Sequence, residues 1–270
     1  MTPENPSKPI TLPDLARMKQ AGEKIACLTA YDASFAALAQ MAGVEVVLVG
    51  DSLGMVIQGR DSTLPVTLAD MIYHSVCVAR AGGRALRVVD MPFMSYASTA
   101  QALANAARLM AEGGAHMVKL EGGAVIAETV GSLTAHGIPV CGHLGLLPQS
   151  VHKLGGYRVQ GRDASSAQAI VTDALALQQA GAGLLVLECV PTELGGQIAR
   201  QLSIPVIGIG AGPQCDGQVL VLYDILGITP GKRPRFCKDF LAGHDGIPAA
   251  LGSYVQAVKS GAFPAPEHGY

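Results

Sequence analysis

The sequence predicts an α/β fold, namely a (β/α)8 barrel of the TIM type that forms a single domain over residues 1–270. The chain is 270 residues long, which suits one barrel of roughly 250 residues. Short β-branched runs alternate with longer runs rich in alanine and leucine, giving about eight strand–helix units. The β-branched runs are apolar at almost every position, which is typical of parallel strands covered on both faces. An open, doubly wound sheet of the same elements is the alternative architecture.

Strands are predicted wherever a short apolar run is bounded by glycine, proline or polar residues. In chain order they are Lys24–Ala30, Val44–Asp51, Ala85–Met91, Met117–Glu121, Ile138–His143, Leu184–Val190, Pro205–Gly210 and Val219–Ile225. The helices predicted between them are Asp32–Met41, Leu68–Arg80, Thr99–Glu112, Ala124–Ala135, Ala164–Gln179 and Glu193–Leu202. Glycine follows several of these stretches, where a helix ends most readily in a residue with positive φ.

Both ends of the chain, residues 1–10 and 261–270, are predicted to be flexible or peripheral to the barrel. Residues 1–11 contain prolines and charges but no apolar segment, so we expect no secretory signal. The cysteines are scattered without a C-x-x-C pair, and no apolar stretch reaches the ~18 residues of a membrane span. We therefore expect a cytoplasmic protein that does not contact membranes.

The composition excludes several classes of function. Apolar residues make up 49% of the chain and charged residues only 15%, which excludes intrinsic disorder. The 19 basic and 21 acidic side chains give a net charge of −2, so a nucleic-acid partner is not expected. A mean hydropathy of +0.34 with so few charges indicates apolar surface that self-association would cover.

The most informative pattern is the ionisable residue at the end of each of five predicted strands. These residues are Asp51, Asp90, Glu121, His143 and Glu188. Each alone is explained equally well as a helix cap or a solvated loop residue. Together they indicate a site, because parallel strands bring their carboxyl ends to one edge, where barrel active sites lie.

The residue types at this edge favour a cation and an anionic ligand. Asp51, Asp90 and Glu121 form an all-oxygen set that suits Mg²⁺ rather than Zn²⁺, with one member acting through water. Lys119 lies two positions before Glu121, so the two side chains face the same way on a strand. They form either a buried ion pair or a lysine that binds an anionic substrate beside a glutamate that serves a metal.

Three further features leave alternatives open. Ser52 places a hydroxyl in a turn that either holds a ligand oxygen or is an ordinary βα turn. His143 is either a hydrogen-bond donor or base, or a satisfied polar residue. The glycines of residues 208–212 lack the rest of a dinucleotide motif, so we expect them to permit close approach of a ligand or a neighbouring strand.

Several longer stretches follow one another along the chain in a specific order. They are Val49–Met55, Asp61–Thr67, Asp90–Phe93, Val118–Gly122, Gly142–Gly145, Pro148–Ser150, Gly155–Gly161, Ile207–Gly212 and Cys215–Val219. In these stretches, and over roughly residues 11–257, the sequence resembles the ketopantoate hydroxymethyltransferase family. Leu147, Tyr223 and Cys237 depart from the usual family residues, but none is a site residue.

The resemblance implies a (β/α)8 barrel that assembles as a homo-oligomer, typically a decamer, with Mg²⁺ as cofactor. It implies transfer of a hydroxymethyl group from 5,10-methylenetetrahydrofolate to 3-methyl-2-oxobutanoate, giving 2-dehydropantoate in pantothenate biosynthesis. By motif, Asp51 and Asp90 bind the metal directly and lie at the substrate, and Glu121 belongs to the metal site. Ser52 and Lys119 contact the keto acid, Glu188 accepts the proton, and His143 lies near the site.

Two other functions remain as alternatives. One is a Mg²⁺-dependent lyase of the phosphoenolpyruvate mutase or isocitrate lyase type, which also forms an enolate on a similar barrel. The other is a catalytically silent barrel retained as an oligomeric scaffold. The intact carboxylates and Lys119 argue against the second.

Overall fold

A closed barrel of parallel strands forms the centre of the computed structural model, which describes residues 8–231 and 233–270. Its eight strands within those residues are β1 (Ile25–Thr29), β2 (Val46–Val49), β3 (Leu86–Asp90), β4 (Met117–Glu121), β5 (Val140–Gly145), β6 (Leu184–Glu188), β7 (Val206–Ile209) and β8 (Gly217–Leu220). Each strand pairs with the next, and β8 returns to pair with β1. The barrel predicted from the sequence is confirmed, and the open sheet is excluded.

Helices surround the barrel and connect its strands. In the described ranges they are α1 (Leu12–Ala21), α2 (Ala33–Met41), α3 (Leu53–Val56), α4 (Leu68–Arg80), α5 (Thr99–Ala111), α6 (Ala127–Ala135), α7 (Val151–Leu154), α8 (Ala164–Gln179), α9 (Thr192–Gln201), α10 (Leu222–Ile225) and α11 (Ile247–Lys259). Single 3₁₀ turns cover Ala124–Ile126, Pro148–Ser150 and Pro266–His268. Helix α11 was not predicted, and it fastens the seam of the barrel. The buried hydroxyl of Tyr254 donates to the carbonyl oxygens of Cys27 in β1 (2.7 Å) and Gln218 in β8 (3.0 Å).

The predicted two-sided burial of the strands is also confirmed. Every residue of β1, β2 and β4 is buried. On the inward-facing surfaces of the helices, small residues such as Ala36, Ala102 and Ala106 are fully buried alongside larger apolar ones. Small side chains allow the helices to pack closely on the apolar strands, as expected for a well-packed interior.

The predicted strand over Val219–Ile225 is wrong in its bounds. Strand β8 begins at Gly217 and ends at Leu220, and α10 follows at once. Thr29 Oγ1 accepts a hydrogen bond from the backbone N–H of Leu222 (2.9 Å), where the chain leaves the barrel. A short apolar run does not distinguish a strand from a buried helical turn, which explains the error.

The last ten residues of the chain contact the barrel at two points, and the flexible or peripheral character of both termini stays a prediction. Phe263 is buried, with its ring 5.5 Å from that of Phe240, and the carbonyl of Tyr270 accepts from the N–H of Thr192 (3.0 Å). Burial of this aromatic ring holds residues 261–270 on the barrel, which composition alone did not reveal. At the other end, residues 1–7 lie outside the described residues, and Ile10 is buried.

Strand register positions the candidate site residues beside one another. Asp90 is paired with Lys119 across β3 and β4, and Glu121 with His143 across β4 and β5. Paired residues of neighbouring parallel strands point to the same side of the sheet. None of the helices in the described ranges is long and apolar enough to span a membrane.

Candidate active site

A cavity of about 1270 Å³ opens at the carboxyl ends of the strands. It is lined by every site residue predicted from the sequence: Asp51, Ser52, Asp90, Lys119, Glu121, His143 and Glu188. The carboxyl ends of the strands are the usual place for a catalytic site in this architecture. The structure therefore brings the whole predicted set together.

Asp51 and Asp90 form a buried pair of carboxylates at the base of the cavity. The backbone N–H of Asp51 donates to Asp90 Oδ2 (3.0 Å), so the turn after β2 lies directly against the end of β3. Burial, followed by the negative charges of Asp90 and Glu121, raises the pKa of Asp51 well above its usual value. The pair therefore lies among several negative charges, which a neighbouring buried cation partly offsets.

That cation is the buried ammonium group of Lys119. Its Nζ lies 2.7 Å from Asp90 Oδ1 and 3.3 Å from His143 Nδ1. Burial alone would lower the pKa of Lys119, but Asp90, Glu121 and Asp51 together raise it above its usual value. Lys119 is thus a buried positive charge on the wall of the cavity, where the low polarity strengthens its attraction to a carboxylate.

Glu121, His143 and Glu188 form a row across the cavity. His143 Nδ1 lies 3.2 Å from Glu121 Oε1, and its Nε2 lies 3.2 Å from Glu188 Oε2. Burial raises the pKa of Glu121 to about 7, against the opposing charge of Lys119. Burial, followed by Lys119, lowers the pKa of His143. One imidazole thus bridges the carboxylates of Glu121 and Glu188.

Gln149 is a site residue that the sequence analysis missed. Its side-chain Nε2 donates to Asp51 Oδ2 (2.8 Å), and its backbone N–H donates to Glu121 Oε2 (3.0 Å). The Tyr96 hydroxyl in turn donates to Gln149 Oε1 (2.6 Å). Gln149 was missed because an uncharged side chain gives no charge pattern, although it lies in a stretch that carries the family resemblance.

Two tyrosines shape the rest of the site. The buried Tyr31 hydroxyl lies 2.8 Å from Ser52 Oγ and fixes that side chain beside Asp51. Tyr157 belongs to the loop after α7, and its hydroxyl lies 3.5 Å from the sulfur of Met55 in α3. This contact links the loop after β5 to the segment after β2 across the mouth of the cavity.

The donor set of the site suits a hard divalent cation. No three His, Cys, Asp or Glu side chains within residues 8–231 and 233–270 enclose a metal ion by themselves. Mg²⁺ does not need three protein ligands, since it usually binds one or two carboxylates and completes its shell with water and substrate oxygens. Asp51 and Asp90 fit this pattern, and a divalent cation beside them would offset the like-charge repulsion that adds to burial in raising the pKa of Asp51.

The glycines of residues 208–212 serve packing. A Cβ on Gly210, whose φ is 63°, would lie 2.9 Å from the Phe236 ring and 3.1 Å from that of Tyr270. The close approach expected here is therefore made by side chains from later loops of the chain. At Gly208 the close neighbour is strand β8, since a Cβ there would lie 3.3 Å from Gln218 Oε1.

The chain is similar in sequence to one enzyme family along almost its whole length. The family model described as ketopantoate hydroxymethyltransferase matches residues 9–266. The 3-methyl-2-oxobutanoate hydroxymethyltransferase of Nitrosococcus oceani is 63% identical over 261 residues, covering 97% of this chain and 99% of that protein. The protein of the same name from Alkalilimnicola ehrlichii is 60% identical over 268 residues, covering 99% and 97%.

Solved structures share the fold at low sequence identity. Phosphoenolpyruvate phosphomutase from Streptomyces platensis superposes with a TM-score of 0.61 at 14% identity, covering 81% of this chain and 83% of that one. A 2,3-dimethylmalate lyase superposes with a TM-score of 0.56 at 15% identity, covering 80% and 82%. At this identity the likeness extends to the barrel and no further.

Proposed function

This chain belongs to the ketopantoate hydroxymethyltransferase family, and we propose that it transfers a hydroxymethyl group from 5,10-methylenetetrahydrofolate to 3-methyl-2-oxobutanoate, giving 2-dehydropantoate. The observation that carries the proposal is the convergence of Asp51, Asp90, Lys119 and Glu188 in one cavity at the carboxyl ends of the strands. This set provides charge for an anionic keto acid and a base for its C3 proton.

The residues at the base of the cavity bind and orient the keto acid. Lys119 donates a charge-assisted hydrogen bond to an oxygen of the substrate, and this bond is stronger in the buried part of the cavity than it would be in water. The hydroxyl of Ser52, held by Tyr31 at 2.8 Å, is placed to donate a second one. Both groups lie on the wall that carries Asp51 and Asp90, so the substrate oxygens face the carboxylate pair.

We propose Mg²⁺ as the cofactor, held directly by Asp51 and Asp90, with Glu121 acting through water. Bound there, the ion would supply Lewis acidity toward the keto oxygen and so favour loss of the neighbouring proton. Gln149 donates hydrogen bonds to the carboxylates of both Asp51 and Glu121. These two contacts fix the carboxylates in place before any ligand arrives, as partners behind metal ligands commonly do.

Glu188 is the proposed base. It removes the proton from C3 of the keto acid, and the electron pair left at C3 attacks the methylene carbon carried by the folate. The methylene carbon forms a carbon–carbon bond to C3 and a carbon–oxygen bond to water, and both of its carbon–nitrogen bonds to the folate break. The proton from C3 and one proton from the water pass to the two folate nitrogens. A base placed in this way contributes on the order of 10²–10⁴ in rate. His143, 3.2 Å from Glu188, keeps the carboxylate directed into the cavity.

The direct test is a transfer assay with the purified protein. We expect 2-dehydropantoate to form only when the keto acid, 5,10-methylenetetrahydrofolate and Mg²⁺ are all present. Cleavage of a 2,3-dialkylmalate without any need for folate would instead favour the lyase alternative, which at present rests on the shared fold alone. Failure to bind Mg²⁺ or keto acid would favour the silent scaffold.

We further propose that the protein is a cytoplasmic homo-oligomer, and by its family a decamer. Large apolar side chains that lie on the surface support association. Met41, Tyr73 and Val125 are 82%, 67% and 88% exposed. Sedimentation of the purified protein tests this, since a monomer would contradict it.

A further inference from the structure

The outer part of the cavity carries a concentration of arginines that the chemistry at its base does not use. Five of the chain's 11 arginines line it, and we call them the arginine rim: Arg60, Arg158, Arg162, Arg233 and Arg235. They lie on the loops that follow β2, β5 and β8, and all five are exposed. Because the whole chain has a net charge of −2, the rim is a local feature.

The members of the rim differ in how they are engaged. Arg233 forms an ion pair with Asp239 (3.0 Å), Arg235 donates to the carbonyl of Glu267 (2.9 Å), and Arg60 donates to the amide oxygen of Gln58 (2.9 Å). Among the described residues, the guanidinium groups of Arg158 and Arg162 make neither an ion pair nor a hydrogen bond. Two of the five are therefore available to a ligand without breaking a contact.

The loop that carries Arg158 and Arg162 is fixed over the cavity from two sides. The hydroxyl of Tyr157 reaches the sulfur of Met55 (3.5 Å), and the N–H of Gln160 donates to the carbonyl of Cys189 (2.9 Å). The two arginines are thus held at the mouth by their own loop. Their position does not depend on a flexible segment closing.

The cavity is larger and more polarised than a small keto acid requires. Its volume of about 1270 Å³ exceeds the roughly 300–1,000 Å³ of most ligand pockets. Its base holds the carboxylates of Asp51, Asp90, Glu121 and Glu188, whereas its mouth carries the five arginines of the rim and one exposed carboxylate, that of Asp61. A second molecule that is longer than the keto acid, and anionic at its outer end, fits this distribution of charge.

We propose that the arginine rim, and Arg158 with Arg162 above all, binds the glutamyl carboxylates of the folate co-substrate. The inference rests on the proposed function, which requires the one-carbon unit to reach the keto acid at the base. The pterin end must then point inward, so the tail leaves through the mouth, where guanidinium groups pair with carboxylates. Each additional glutamyl residue on the tail brings a further carboxylate that can pair with another arginine of the rim.

The test compares the Arg158→Gln, Arg162→Gln double variant with the wild type and with Arg108→Gln. Arg108 pairs with Glu112 on α5 and does not line the cavity, so it controls for loss of a surface arginine. Calorimetry measures the binding of tetrahydropteroyl mono- and triglutamate, and steady-state assays give KM for their 5,10-methylene forms. Deuterium exchange into C3 of the keto acid reports on the base of the cavity independently of the tail.

We expect the double variant to bind the triglutamate about tenfold or more weakly and to lose most of the wild-type preference for the longer tail. The wild-type affinity should also fall with added salt, more steeply than that of the variant. KM for the keto acid and the exchange rate should not change, and Arg108→Gln should match the wild type.

Unchanged triglutamate affinity in the double variant would overturn the proposal. A wild type that binds the triglutamate through these arginines, yet transfers no one-carbon unit, would support the rim and contradict the proposed function. The two hypotheses can therefore fail separately.

Discussion

The side-chain amide of Gln149 donates to Asp51 Oδ2 across 2.8 Å, although the two residues lie 98 positions apart in the chain. The same Nε2 also donates to the carbonyl of Met91 (3.0 Å), which follows Asp90. One buried glutamine therefore ties the loop after β5 to the ends of β2 and β3. It contacts the carboxylate of Asp51 and the backbone next to Asp90 without itself lining the cavity.

Replacing Gln149 tests this positioning role. We expect Gln149→Leu to weaken Mg²⁺ binding by about 10–100-fold, because Asp51 loses the group that orients it. The backbone donation to Glu121 should survive, so the protein should still fold. Calorimetric titration with Mg²⁺ measures the effect, and Gln168→Leu on the exposed face of α8 is the matched control. An Mg²⁺ affinity equal to that of the control would exclude the role.

Replacing Asp90 tests the proposed metal ligand itself. Asp90→Asn keeps the shape of the side chain but removes the charge, so we expect Mg²⁺ affinity to fall by more than in Gln149→Leu. The variant also leaves Lys119 without its 2.7 Å partner, so keto-acid binding should change as well. Titrations with Mg²⁺ and with the keto acid separate the two effects. An unaltered Mg²⁺ titration would remove Asp90 from the metal site.

Two glycines provide a paired test of the barrel. A Cβ on Gly217 would clash with the carbonyl oxygen of Ile25 at the seam of β8 and β1, whereas one on Gly252 in α11 meets nothing within 4 Å. Gly217→Ala should lower the free energy of unfolding by about 1–3 kcal/mol. Gly252→Ala should raise it by roughly 0.5–1 kcal/mol, since alanine favours a helix interior. Urea unfolding at one protein concentration measures both, and equal midpoints would contradict the seam geometry.

The sequence was sufficient to predict the barrel and the convergence of five ionisable residues at one end of it. The reason is local, since each carboxylate ends an apolar run and the parallel strands bring those ends together. The two-residue spacing of Lys119 and Glu121 likewise predicted that both side chains face the same way, and each lies within 3.3 Å of His143 Nδ1. These inferences use only periodicity and the direction of the strands.

Contacts between distant segments could not be predicted in this way. The partner of Gln149 depends on how the loop after β5 returns to β2, which no pattern in either segment encodes. The packing of Phe263 on Phe240 depends in the same way on the path of the last loop. The boundary between β8 and α10 was missed because four apolar residues fit either element.

Deuterium exchange at C3 of 3-methyl-2-oxobutanoate tests the central claim most directly. The claim is that the carboxylates at the base of the cavity hold a divalent cation, and that Glu188 removes the C3 proton beside it. We predict exchange that requires Mg²⁺ in the wild type and falls by about 10²–10⁴-fold in Glu188→Gln, with keto-acid binding retained. Exchange at the wild-type rate in Glu188→Gln, or exchange that is indifferent to Mg²⁺, would contradict the account.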